Sequence, residues 1–194
     1  GPAGEEAGEE FGGGFNDALI DVGLAAAAIG VLRAGLSEFD EATRGIAQTE
    51  AVIRSTGGAA NVTAEHIDEL AAASGRLAAK DDDVIRAGLN LLLTFTNVRN
   101  EVDDGIPVFD RATDAIVDFA SARGVDVTAA ATLLGRALNA PERASTALTR
   151  AGIILTAQQK EQIKAFTDVN DVAGAQSVIL GTLDDDPAAE AEIV

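Results

Sequence analysis

The apolar positions of this chain recur three and four residues apart, in segments opened by a small polar residue and closed by glycine or proline. That spacing puts them on one face of an α-helix, and no long run alternates with the period of two that a half-buried strand needs. Ser37 caps a helix carrying Phe39, Ala42, Ile46 and Ile53 that stops at Gly57-Gly58. Thr63 caps the next, with Ile67, Leu70, Ala71, Ser74 and Leu77 in line. Asp82 or Asp83 opens a third, broken by Asp103-Asp104-Gly105-Ile106-Pro107, because proline cannot continue a helix interior but suits a first turn. Phe109, Ala112, Ile116 and Phe119 form the following stripe, closed by Gly124. Asp126 or Thr128 starts a helix with Val127, Ala131, Leu134 and Leu138 aligned, which Asn139-Ala140-Pro141 ends. Pro141 begins another that reaches Gly152. Thr156 and Gln159 have capping-box spacing ahead of Ile163 and Phe166. Asp171 caps the last helix, with Val172, Ala175, Ile179 and Leu183 inward, and the acidic tail is expected beyond Gly181.

The third segment is the one the others serve. Asn90 to Asn100 is the most apolar run of the middle of the chain, with acids before it (Asp81, Asp82, Asp83) and after it (Glu101, Asp103, Asp104). Read as one helix, it aligns Ile85, Leu89, Leu92 and Thr96, while Val84, Leu91, Leu93, Phe95 and Val98 fill most of the remaining circumference. A helix apolar nearly all round has to be covered from several sides. Ile85, Leu89, Leu92, Leu93 and Phe95 are therefore expected in a central helix. The fold expected is all-α, a compact bundle of about seven or eight short-to-medium helices with flexible acidic termini. No heptad persists through three or four repeats, so a continuous coiled coil is not expected.

Four segments follow along the chain. Residues 1–14 are rich in Gly and Glu and cannot bury enough surface to order themselves, so they read as a flexible leader. Residues 15–36 form an apolar Ala/Gly-rich helix, 37–183 the helical module, and 184–194 an acidic disordered tail. Within 15–36, the run Val22 to Leu32 is eleven residues long, against the ~20 a membrane-crossing helix needs. Gly23 and Ala27, and Ala26 and Gly30, stand four apart, a spacing that lets helices approach closely. These four are candidates for helix–helix self-association, and a homo-oligomer is expected.

Composition narrows the picture. Apolar residues make up 47% of 194, but aromatics only 4%, so the core is Ala, Leu, Ile and Val, which suits close helix packing. The net charge of −18 is concentrated at the ends: residues 1–10 hold four acids and residues 184–192 five, with no Lys or Arg, leaving 23 acids against 14 bases between. A phosphate backbone would be repelled, and specific nucleic-acid binding is not expected. The absence of Cys excludes a disulfide frame, a thiol nucleophile and thiolate metal ligands. The absence of Met, with Gly1-Pro2 at the start, is what a processed product or excised fragment carries, and Gly1-Pro2 resembles the scar of a tag-removing protease.

Candidate chemistry is thin. His66 is the single histidine, in a first helical turn between Glu65 and Asp68, and reads as an exposed helix residue without a nucleophile to serve. Asp81-Asp82-Asp83 sits where a helix start favours negative charge, and Asp184-Asp185-Asp186 opens the tail. Neither has the alternating spacing of a calcium loop. No phosphate loop, nucleophile elbow or zinc-helix motif is present. No catalytic residue, metal or cofactor is expected.

Five blocks carry a resemblance. Ala51-Val52-Ile53-Arg54-Ser55-Thr56-Gly57-Gly58-Ala59-Ala60, the run Leu91 to Asn100, Leu138-Asn139-Ala140-Pro141, Gln158 to Ala165, and Gly174-Ala175-Gln176 occur in the order in which similar blocks occur in tail tape measure proteins of long-tailed bacteriophages. The resemblance covers roughly residues 46–183. It implies a non-catalytic structural protein in the lumen of the virion tail tube. Such a chain sets tube length, scaffolds tail assembly, contacts tail tube and tail tip proteins, is kept soluble by tail assembly chaperones, and is ejected ahead of DNA. Against that family's expected rod of extended helix, the short capped helices here read as a folded module attached to one. Two other readings stand beside it: a membrane-active helical protein that contacts the host membrane by inserting through residues 15–36, and a soluble helical adaptor or binding module.

Overall fold

A computed structural model describes residues 43–103 and 106–184. The chain divides into two units, residues 1–44 and 45–194. The expected leader, the 15–36 helix with Gly23, Ala26, Ala27 and Gly30, the Ser37 cap, and the tail beyond Asp184 lie outside the described residues.

The second unit is all-α. Residues 45–55 belong to α1, followed by α2 (Ala64–Ala78), α3 (Asp82–Leu92), α4 (Val108–Arg123), α5 (Val127–Asn139), a 3₁₀ turn (Pro141–Arg143), α6 (Ala144–Arg150), α7 (Ala157–Asp168) and α8 (Val172–Asp184). The β structure among the described residues is one two-residue ribbon, Val102–Asp103 antiparallel to Ile106–Pro107, around the expected turn.

The caps explain most of these boundaries. Thr63 accepts from His66 N–H, Asp81 from Asp83 N–H and Asp126 from Thr128 N–H. Thr156 and Gln159 close a full capping box, and Asp171 Oδ1 accepts from Gly174 N–H. The third helix begins at Asp82, one of the two acids expected to open it, with Asp81 as its cap. Gly124 adopts φ 60°, the left-handed terminus expected of it.

The core is one continuous apolar cluster, with α3, α4 and α5 at its centre and α8 laid across α4. Ile85, Leu89, Leu92 and Leu93 have no solvent exposure. Helices α3 and α5 approach closely because α3 presents Gly88: a methyl group there would stand 2.7 Å from Val127 Cγ1. At the other end of α5, the Phe95 ring occupies the space a side chain at Gly135 would need.

Two expectations are corrected. The Leu-rich run is not one helix to Asn100, because α3 ends at Leu92 and residues 94–100 are non-helical. Phe95 consequently lies in a turn, half-buried, and Thr96 is exposed. The cause is local: Thr94 Oγ1 bonds Leu91 O at 2.6 Å, and Thr94 and Phe95 N–H reach carbonyls three residues back. Threonine and asparagine side chains offer the backbone alternatives to the helical ladder, and this stretch has two of each before Glu101. Leu77, expected on the buried stripe of α2, is 87% exposed. It falls roughly 80° off the line through Ile67, Ser74 and Ala78 at ~100° per residue.

Candidate functional site

The place where distant parts of the chain converge is a polar junction beside residues 94–100. Because this stretch has left the helix, its backbone groups need partners from elsewhere. Asn97 N–H donates to Asn139 Oδ1 at 3.1 Å, and Asn97 Nδ2 donates to Asn139 O at 2.8 Å. From α8, Gln176 sends Nε2 to Asn97 O at 2.8 Å and to Leu138 O at 2.9 Å. Asn100 N–H donates to Ala60 O at 2.8 Å, tying in the segment after α1. Gln176 is only 2% exposed, so the two carbonyls it satisfies could not simply turn to water if it were removed. Asparagine and glutamine suit the task because each carries two donors and an acceptor.

A second polar centre surrounds Arg86 of α3. Its side chain is 7% exposed and meets Asp68 of α2 through Nη2 at 2.6 Å and Nε at 3.1 Å. It also pairs with Asp83 and, at 3.6 Å, with Asp82. Burial disfavours the cation, but the hydrogen bonds and charges of Asp68 and Asp83 outweigh it and hold the guanidinium above its ordinary pKa. The acids of the α3 start therefore both favour the helix terminus and neutralise a buried cation one turn on.

His66 is not the unpartnered surface residue expected. Its Nε2 lies 2.8 Å from Asp110 Oδ1 of α4, and both side chains are half-buried. Forty-four residues separate them, so the pair was invisible to local reading. An imidazole oriented by a carboxylate is two parts of a nucleophilic triad, but among the described residues no hydroxyl is hydrogen-bonded to the ring. The pair acts as a bond between α2 and α4.

Asp110, Asp114 and Asp118 follow one another at four-residue steps on α4, and Asp184 at the end of α8 bonds Arg111 at 2.9 Å. Burial first, then the charges of Asp118, Asp110 and Asp184, raise the Asp114 carboxyl above its usual range. Burial and Asp184 do the same to Asp118. Beside them, Ala115, Phe119, Leu183 and Arg123 line a cavity of about 50 Å³, room for solvent but not for a substrate. A shallow apolar groove between Phe119, Val125 and Leu133 reaches about 230 Å³, below the few hundred typical of ligand sites. A wider depression of about 370 Å³ at the α2–α3 turn is open to solvent and lined by Ala72, Gly75, Arg76, Lys80, Asp81 and Asp82. Among the described residues no group of three or more His, Asp or Glu is placed to hold a metal ion, and no helix is long and apolar enough to cross a membrane.

Ile85, Leu89, Leu92 and Leu93 thus lie together in the core, Phe95 at its edge against Gly135, and the self-association candidates outside the described residues. Gln176 and Asn139 are not distinguished in the sequence from the blocks that contain them. Their signal was a polar side chain on an otherwise apolar helical face, which reads as unremarkable until its partner carbonyl is known. No protein family, characterised protein or solved structure matches the chain.

Proposed function

We propose that this chain is a segment of a phage tail tape measure protein: a structural, non-catalytic component of the virion tail, assembled in the tube lumen against tube and tip proteins. The observation that supports the reading is the convergence of the blocks that carry the resemblance. Ala60, Asn97 with Asn100, Leu138 with Asn139, and Gln176 belong to four separate blocks, and all meet at the polar junction. The fifth, Gln158 to Ala165, reaches the same helix further along, with Gln159 Nε2 bonded to Thr182 Oγ1 of α8 at 2.9 Å. On this reading the segment is a folded module borne by a longer rod, and its acidic body lets it share a channel with DNA without adhering to it.

Tail length tests the proposal. In a phage encoding the full protein, in-frame deletions in the adjoining rod should shorten the tail by about 1.5 Å per residue removed. Mass spectrometry of purified tails should recover peptides of residues 45–184. A tail of unchanged length, or particles lacking these peptides, would overturn it.

A further inference from the structure

Helix α1 is seated unlike the other helices. Within residues 45–55 the one fully buried side chain is Thr49, whose hydroxyl turns back to Gly45 O at 3.1 Å instead of reaching the body. Val52 and Ile53 lie half-buried against the core. Helix α5, by contrast, buries Val127, Ala130, Ala131, Leu134, Ala137 and Leu138. A segment with so little buried apolar surface opens at lower free energy than the core beneath it.

Two features of α1 bear on that opening. Within the helix Gly45 rests on the Arg86 guanidinium, and a methyl group at Gly45 would stand 2.8 Å from Nη1. Just past its C-terminal end Gly57 and Gly58 adopt φ of 65° and 70° with open space around them. Two residues further, Ala60 is 2% exposed and pinned by Asn100 N–H. A helix and a fixed point are therefore joined by two glycines, the residues that change backbone region at least cost.

We infer that α1 is a strap, which leaves and redocks as a unit by pivoting at Gly57-Gly58 while α2 to α8 stay folded. Opening uncovers the seat of Val52 and Ile53 and the face of Arg86. It strands no buried charge, because Asp68 and Asp83 remain bonded to the guanidinium when α1 departs. The strap stands whether or not the chain is a tail protein.

Hydrogen–deuterium exchange on the whole chain, read by mass spectrometry, tests this directly. Amides of residues 49–55 should exchange at least about tenfold faster than those of 131–138 under native conditions. Gly45→Leu, which places a side chain where Arg86 lies, should speed 49–55 by about another tenfold and leave 131–138 unchanged. Val52→Ala, a milder change in the same seat, should act in the same direction and serves if Gly45→Leu fails to fold. Equal exchange in the two segments, or acceleration of both together by either variant, would overturn the strap.

Discussion

The Leu-rich middle of the chain contains two regions with opposite logic. From Ile85 to Leu92 it is regular helix packed on α5 and ended at Leu93, and Ile85, Leu89, Leu92 and Leu93 have no exposure at all. From Thr94 to Asn100 only Val98 is fully buried, the backbone is irregular, and hydrogen bonds from Asn139 and Gln176 hold it in place. Apolar burial is non-directional and tolerates small shifts, whereas the junction depends on particular donors at particular carbonyls. The first region fixes which helices pack together; the second fixes where one of them stops and what stands beside the stop.

The difference can be broken from either side, and the apolar side should yield the larger effects. Leu89→Ala removes a fully buried side chain from the α3 seam and should cost about 2–5 kcal/mol in urea unfolding. Gly88→Val forces α3 away from Val127 and should cost about 1–3 kcal/mol, with the whole unit losing protection together. Gln176→Leu leaves the Asn97 and Leu138 carbonyls without their donor and should cost about 1–3 kcal/mol. Its signature is local: Asn97 and Asn100 amides should exchange faster while those of α3 do not.

Smaller effects sharpen the picture of the periphery. Asp126→Ala removes the α5 cap and should lower the thermal midpoint, with a smaller effect than any core change. The Asp114 carboxyl is raised in the folded state, so folding favours its protonated form. Its contribution is most favourable below the ordinary carboxylate pKa of 3.8 and is lost as pH rises through the higher folded value. Asp114→Asn should therefore stabilise the protein at pH 7 relative to pH 4, by roughly a few tenths of a kcal/mol because the partly exposed side chain is screened by water. Urea midpoints at both pH values measure the sign.

What could be read from the sequence follows the same division. The stripes of α4 and α5, the Thr63, Asp126 and Asp171 caps, the Thr156 capping box and the Gly124 terminus are local patterns, decided within one or two turns, and each appears where it was expected. The end of α3 was missed because apolar periodicity runs on through Phe95 and Val98 while Thr94, Thr96 and Asn97 have already redirected the backbone. The His66–Asp110, Arg86–Asp68 and Gln176–Asn97 contacts join residues 44, 18 and 79 positions apart. No spacing rule reaches across those distances. The acids around Arg86 were legible as helix-start charge but not as counterions, since nothing local says that an arginine one turn on will be buried.

The junction acts as one unit only if its members depend on one another, and a double-mutant cycle measures that dependence. Gln176→Leu and Asn139→Ala each remove a partner of Asn97, singly and together, with stability read from urea unfolding. The expected coupling energy is about 0.5–3 kcal/mol, the range for residues sharing one hydrogen-bonded network. Costs that simply add, to within about 0.3–0.5 kcal/mol, would mean that the bonds only lie near one another and that the blocks they join are not a module.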